Sequence, residues 1–366
     1  MAGSTYGKQF SIMTWGESHG AGVGVTIDGC PAGLDLTEND VQYMLNRRKP
    51  GQSAFTTPRK EDDEVEILSG VFEGKTTGTP IAMMVRNKTQ RSGDYSEISQ
   101  YYRPGHADFT FDEKYGFRDY RGGGRSSGRE TIGRVAAGAV ALKFLRRLGI
   151  KVNAYAKEIG GIGIDYQNFD MNQRDKNAFS MPDSEAAEKV KASAIKKMAD
   201  GDSIGGIIEC VIENIMTGVG DPVFDKLDAG LAKAMLSIGA VKGFEIGDGF
   251  EAARVTGKAN NDEFFMKDGK VAKRTNHAGG VLGGISDGSD IIFRVAVKPT
   301  PSILAKQETV NKAGKNIEVS VKGRHDPMIV PRAVVVVEAM AALTLVDLII
   351  SNMGARMEKI AEFYER

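Results

Sequence analysis

Arg118-Asp119-Tyr120-Arg121-Gly122-Gly123-Gly124-Arg125-Ser126-Ser127-Gly128-Arg129-Glu130 runs without a break into a segment that ends at Gly149. The two parts of this stretch have different physical requirements. In the second, Ile132, Val135, Ala136, Ala139 and Leu142 recur at helical spacing, which predicts a helix with one apolar face, stopped by Gly149. In the first, four arginines and four glycines crowd a short run that no core would accept. Glycine lets a backbone approach a ligand closely, and arginine presents a planar fork that matches phosphate and carboxylate oxygens. Ser126 or Ser127 can cap the following helix, whose free N–H groups favour an anion. The stretch therefore predicts a site for a strongly anionic small molecule; the alternative is a solvated basic loop.

Outward from this stretch, helices and strands alternate along the whole chain. Phe10–Trp15 and Val23–Ile27 read as strands joined by the turn Gly16–Gly20. Thr37 can cap a helix through Arg48, with Val41, Met44 and Leu45 on one face and Pro50-Gly51 ending it. Val65–Leu68 and Ile81–Val85 read as strands. The segment 87–119 is polar, aromatic and without clear periodicity, so it reads as a long functional loop. Further on, Val152–Ile159, Ile204–Ile215, Ile291–Val297 and Glu318–Val321 read as strands, and Phe264–Lys273 as a hairpin. A helix is expected from Asp183 or Ser184, with Ala187, Val190, Ala194 and Met198 inward. A second is expected over Pro222–Ile238, with Phe224, Leu227, Leu231 and Met235 inward. Asn276–Asp287 is a Gly-rich loop, and the chain beyond Pro327 is helical. No Pro/Ser linker or charge run marks a boundary, so the fold class is α+β, one domain over residues 1–366. The strand–turn–strand pieces favour antiparallel sheets.

Composition narrows the function. The 366 residues carry 48 Lys plus Arg against 48 Asp plus Glu, which argues against a general nucleic-acid or membrane-surface binder. Forty-five glycines, well above the usual ~7%, are spread among apolar runs and suggest many close turns. Cys30 and Cys210 have no metal or redox spacing, and there is no apolar signal region, so a reduced cytoplasm is expected. The most apolar run, Ala333–Ile350, contains Glu338 and Asp347 and reads as a buried helix, not a membrane span.

Two short motifs need testing by context. Gly16-Glu17-Ser18-His19-Gly20 matches the nucleophile elbow of serine hydrolases, but that elbow needs a helix after it, and Ala21–Ile27 has strand character. Gly70–Thr76 imitates a phosphate-binding P-loop but fails on spacing, because Ser69 stands where glycine is required. The four histidines, His19, His106, His277 and His325, all lie in loops beside Gly, Pro, Arg or Asp. A histidine beside a phosphate can donate a proton near neutral pH. Asp326 is either a base or a partner of Arg324. Arg47-Arg48-Lys49 suits a helix C-terminus, although Arg48 could reach into a pocket.

Taken together, the Gly16–Gly20 turn, Arg121–Arg134 and Arg324-His325-Asp326-Pro327 through Asp347 resemble the signature regions of the chorismate synthase family. Arg47-Arg48-Lys49-Pro50-Gly51, Ser69–Gly74, Arg103–Asp108 and Asn276–Gly280 are similar to further family segments, so the resemblance covers nearly the whole chain. It implies helices sandwiched between antiparallel sheets and a homotetramer. It implies a lyase of the shikimate pathway and aromatic amino acid biosynthesis. The reaction would be 1,4-elimination of phosphate from 5-enolpyruvylshikimate 3-phosphate to give chorismate, with reduced FMN and no net redox change. Matching positions imply Arg48, Arg129 and Arg134 on substrate anions. FMN would be held by Arg125, Ser126, Ser127, Gly239, Ala240, Gly283, Lys298, Pro299, Thr300, Pro301, Ser302 and Arg324. His19 would stabilise the reduced flavin, His106 would protonate the leaving phosphate, and Asp326 would relay the ring proton. Ser18 and Ser127 would support this network. The resemblance also implies an NADPH-dependent reductant supplied by another protein, an external flavin reductase. One departure is Ala54, where many relatives carry a second basic residue implied in nicotinamide contacts.

Overall fold

The computed structural model describes residues 3–53, 55–56, 61–88, 97–121, 123–321 and 326–365. Alternating side chains build two five-stranded sheets, and every pairing in them is antiparallel. In the N-terminal sheet the order is Thr5–Tyr6, Ser11–Gly16, Gly22–Asp28, Ile81–Arg86, Val65–Ile67. In the C-terminal sheet it is Val241–Ile246, Ile291–Val297, Gly206–Glu213, Lys151–Ile159, Ile162–Gly163. Along Ile81–Arg86 the residues Ile81, Met83 and Val85 are buried while their neighbours are not, and Ile291, Phe293, Val295 and Val297 repeat this in the other sheet. Period-two alternation thus gives each sheet one apolar face.

Helices fill the space between those faces. Thr131–Arg147 packs on the N-terminal sheet, Val330–Asn352 packs on the C-terminal sheet, and the two helices pack on each other. Glu38–Arg48 and Leu227–Leu236 flank them. The buried apolar residues of both sheets and all four helices form one continuous core. The sandwich expected from the resemblance is the observed architecture. Gly138 explains how the two central helices come so close: a Cβ there would lie 2.3 Å from the Cβ of Ala339. Val330–Asn352 is long and apolar enough to cross a membrane, yet 83% of its most apolar window is buried within the protein. Its buried carboxylate, Glu338, accepts from Arg47, from Arg174 Nη1 at 2.8 Å and from the Ala154 amide at 3.0 Å. That network ties the helix Glu38–Arg48 to the core beside Arg48 itself.

Several expectations need correction. The helix expected over Pro222–Ile238 begins only at Leu227, and Phe224 is 92% exposed. Asp221 to Asp225 closes as a turn, and the helix's first amide donates to Gly284 O, so a carbonyl from a distant hairpin caps it. Met198 is largely exposed, unlike Ala187, Val190 and Ala194. Segment 87–119 is not all loop: Asp108–Tyr115 is helical and stops at left-handed Gly116. The Gly-rich loop 276–287 contains the hairpin Val281–Leu282 with Ile285–Ser286. The strand expected at Glu318–Val321 is Asn316–Val319, paired with Gln307–Val310. The C-terminal helical region is two helices, Val330–Asn352 and Met357–Tyr364.

Candidate active site

Two arginines singled out in the sequence, Arg48 and Arg129, converge on one buried carboxylate, Asp63, and a third, Arg134, pairs with Glu130. Arg48 ends its helix fully inside the protein and donates to Asp63 Oδ2 at 2.7 Å and to Gly128 O at 3.2 Å. Arg129 donates to Asp63 Oδ1 at 3.0 Å, to Glu61 at 2.7 Å and to Asn87 Oδ1 at 2.6 Å. Asp63 is therefore a buried carboxylate gripped from both sides. Burial alone would raise its pKa, but the Arg48 and Arg129 charges override this and hold it below the usual carboxylate value. Burial pulls both guanidinium groups down from their usual values against the opposing pull of Asp63. Even so clamped, each arginine keeps a buried N–H group, Arg48 Nε and Arg129 Nη2, with no partner among the described residues. Buried donors of this kind are costly unless something accepts from them.

The Gly/Arg loop behaves differently from its appearance in the sequence. Arg125 folds back onto the first sheet, donating to Thr14 Oγ1 at 2.6 Å, Thr14 O at 3.0 Å and Gly16 O at 3.2 Å. Its guanidinium therefore pins the loop to the Gly16–Gly20 turn. Ser127 accepts from the Arg129 amide at 3.3 Å and caps a short 3-10 turn, and the α-helix starts only at Thr131. Ser126 instead donates to Gly123 O at 2.7 Å. Gly16–Gly20 joins two paired strands, with no helix after it, so the geometry of a nucleophile elbow is absent there. Ser18 Oγ lies 3.1 Å from His19 Nδ1 in that turn.

A second group joins residues 103–108 to 298–302. His106 Nδ1 is 2.9 Å from Pro104 O and its Nε2 is 2.8 Å from Ser302 Oγ. A carbonyl only accepts, so Nδ1 carries the proton and the neutral ring accepts the Ser302 hydroxyl at Nε2. Lys298 Nζ donates to Gly105 O at 2.9 Å, and a Cβ on Gly105 would meet Pro301 at 2.7 Å. Ser203 donates to Thr300 O at 2.7 Å, while Thr300 Oγ1 is buried with no partner among the described residues. Pro299 is exposed beside them. Arg103 grips Asp108 through its backbone amide and both sides of its fork, which sets the turn that carries His106.

Arg134 links the two groups. It pairs with Glu130 one turn away at 2.8 Å and donates to Ser237 Oγ at 2.6 Å, just before Gly239-Ala240. Ala240 has a left-handed backbone (φ 73°), and its carbonyl accepts the Lys298 amide at 2.9 Å. Asp326 pairs with Arg332, and Arg332 donates to the Arg48 carbonyl at 3.0 Å. Gly283 stands apart: its hairpin packs on the start of Leu227–Leu236, whereas Ser237 follows the end of that helix. Arg324, His325 and Ala54 lie outside the described residues. Sequence reading missed Asp63, Glu61, Asn87, Glu130 and Arg332, whose partners are distant in sequence or seemed ordinary.

Together, the fold and the site define a class: helices sandwiched between antiparallel sheets, with a buried arginine–carboxylate cluster and a histidine whose Nδ1–H is fixed on a backbone carbonyl. The chorismate synthase family model matches residues 10–350. The chain is 76% identical over 366 residues to a chorismate synthase of Lachnospira eligens, covering all of both chains. It is 66% identical, again over all of both chains, to one of Agathobacter rectalis. A crystal structure of chorismate synthase superimposes with a TM-score of 0.76 at 33% identity, covering 98% of this chain and 96% of the other. The chain belongs to the chorismate synthase family.

Proposed function

We propose that this protein is a carbon–oxygen lyase that converts 5-enolpyruvylshikimate 3-phosphate to chorismate and inorganic phosphate. Family membership supports this reading, and one structural observation supports it most directly: Arg48 and Arg129, aligned by a shared carboxylate, each keep a buried donor without a partner among the described residues. A substrate with one phosphate and two carboxylates supplies acceptors for such donors. Arg134 is the third anion contact, already oriented by Glu130 and Ser237.

In the reaction the allylic C–O bond breaks and its electron pair leaves with phosphate. A ring proton is lost and a new C=C bond forms, so electrons balance without an oxidant. His106 delivers a proton from Nε2 to the departing phosphate, while Nδ1–H stays on Pro104 O and keeps the ring aimed. Ser302, which faces Nε2 in the neutral ring, rotates its hydroxyl to accept once that nitrogen is protonated. Asp326, paired with Arg332, is the acceptor at the end of the path taken by the ring proton. Ser18 holds His19, and Ser127 holds the Arg129 turn.

The second group fits FMN. Buried Thr300 Oγ1 needs a partner, and Ser126, Ser127, Gly239, Ala240, Lys298, Pro299, Pro301, Ser302 and Arg324 would hold the cofactor with it. Reduced FMN held there would supply electron density to the reaction, and His19 would stabilise its extra charge. The reductant is NADPH-dependent and comes from a separate flavin reductase. The protein works in the cytoplasm, as one domain per chain in a homotetramer, where Gly283 completes the cofactor site.

The test is an anaerobic assay with 5-enolpyruvylshikimate 3-phosphate that follows chorismate absorbance and phosphate release together. Equal appearance of both with reduced FMN, and neither with oxidised FMN, is expected. Phosphate without chorismate would replace elimination by hydrolysis.

A further inference from the structure

Asn87 lies at the end of the strand Ile81–Arg86 and spends every polar atom of its side chain on two segments far from it in sequence. Its Nδ2 donates to Glu17 O and to Gly20 O, both at 2.8 Å, so it closes the turn that carries Ser18 and His19. Its Oδ1 accepts from Arg129 Nε at 2.6 Å. Its own amide donates to Ala21 O at 3.1 Å. An amide with both donors on carbonyls and its acceptor on a guanidinium has only one orientation, because the reverse would set N–H against N–H. The side chain is thus a rigid spacer between the His19 turn and the Arg129 fork.

We propose that Asn87 is a positioning residue that fixes the distance between the cofactor-side histidine and the substrate-side arginine. This rests on the functional reading above. Arg125 anchors the start of the loop to the same turn, and Asn87 ties that turn directly to the Arg129 guanidinium, whose other partners among the described residues are the carboxylates of Glu61 and Asp63. Small displacements between reacting groups cost large factors in rate.

Two variants separate the two sides of the spacer. Asn87→Asp keeps an acceptor for Arg129 but removes both donors to the turn. Asn87→Ala removes everything. FMN affinity by fluorescence titration, substrate KM, kcat and melting temperature are measured for each. Expected for Asn87→Asp is FMN binding weakened about tenfold, the worth of one to two hydrogen bonds, with substrate KM within about threefold of wild type. Expected for Asn87→Ala is about tenfold loss in both affinities, and kcat falls in both variants. If a variant does not fold, Asn87→Gln takes its place, with the donors displaced and the same FMN loss expected. Wild-type FMN affinity in Asn87→Asp, or an equal loss of FMN and substrate affinity in both variants, would overturn the proposal. The FMN titration needs no turnover, so it reads the spacer even if wild-type protein releases no chorismate. That latter outcome would count against the functional reading alone.

Discussion

The two groups that form the site are built by opposite means. Around Asp63, structure is held by charge: two buried arginines grip one carboxylate, and Glu61 and Asn87 complete the set. Around His106, structure is held mostly by hydrogen bonds to carbonyls, one of them from the Lys298 ammonium to Gly105 O, with Pro301 packed against Gly105. The Arg103–Asp108 pair adds a buried ion pair beside it. A charged clamp suits binding, because its donors stay in place whether or not an anion is present. On the proposed function, the first group serves affinity and the second serves proton transfer.

The comparison can be broken most easily at Asp63. Asp63→Asn leaves two buried guanidinium groups facing each other, and breaking a buried pair costs about 3–5 kcal/mol. Urea unfolding should show a loss of that size; a loss under about 1 kcal/mol would mean the cluster is far more hydrated than its burial suggests. His106→Ala comes next. It should cost about 1–2 kcal/mol in urea stability, for the two neutral hydrogen bonds it loses, and lower kcat about 10²-fold or more, the usual worth of a general acid. Activity near wild type would remove His106 from the mechanism.

A pH series sharpens the same contrast. Asp63 and Asp108 are held below the ordinary carboxylate value of 3.8, by Arg48 with Arg129 and by Arg103 respectively, against the raising effect of burial. A depressed folded pKa stabilises above the unfolded value and is lost as pH falls through the folded one. Stability should therefore be flat above about pH 5 and fall below about pH 4. Asp63→Asn should be less stable at neutrality yet show a shallower acid loss, with equal slopes for both proteins as the contrary result. The smallest effect is expected for Ser302→Ala, which removes one neutral partner of His106. It should cost about 1 kcal/mol in stability and shift the acidic limb of the kcat–pH profile. An unchanged profile would leave Ser302 without influence on that nitrogen.

Much of this was legible in the sequence, for identifiable reasons. Alternation in Val23–Ile27 and Ile291–Val297 and the helical spacing in Ile132–Leu142 are local signals, and the sandwich follows from them. Arg129 and His106 stood out as charged or titratable residues in Gly/Pro-rich loops, and Arg48 as an arginine at a helix end beside Pro50-Gly51. Asp63 and Asn87 did not stand out, because their partners are 66 and 42 residues away. Nothing local separates a buried aspartate from a solvated one. Phe224 misled because its spacing to Leu227 and Leu231 is helical, while the chain there closes as a turn. The sequence also did not show that Arg125 binds the carbonyls of Thr14 and Gly16, which its type alone cannot reveal.

The division of labour between the two halves is tested most directly by titrating 5-enolpyruvylshikimate 3-phosphate into Arg129→Lys and His106→Ala side by side, with substrate affinity and kcat read for each. Arg129→Lys should lose affinity about tenfold or more through the missing fork, and His106→Ala should bind as wild type while turning over far more slowly. Equal loss of affinity in both variants would contradict the account.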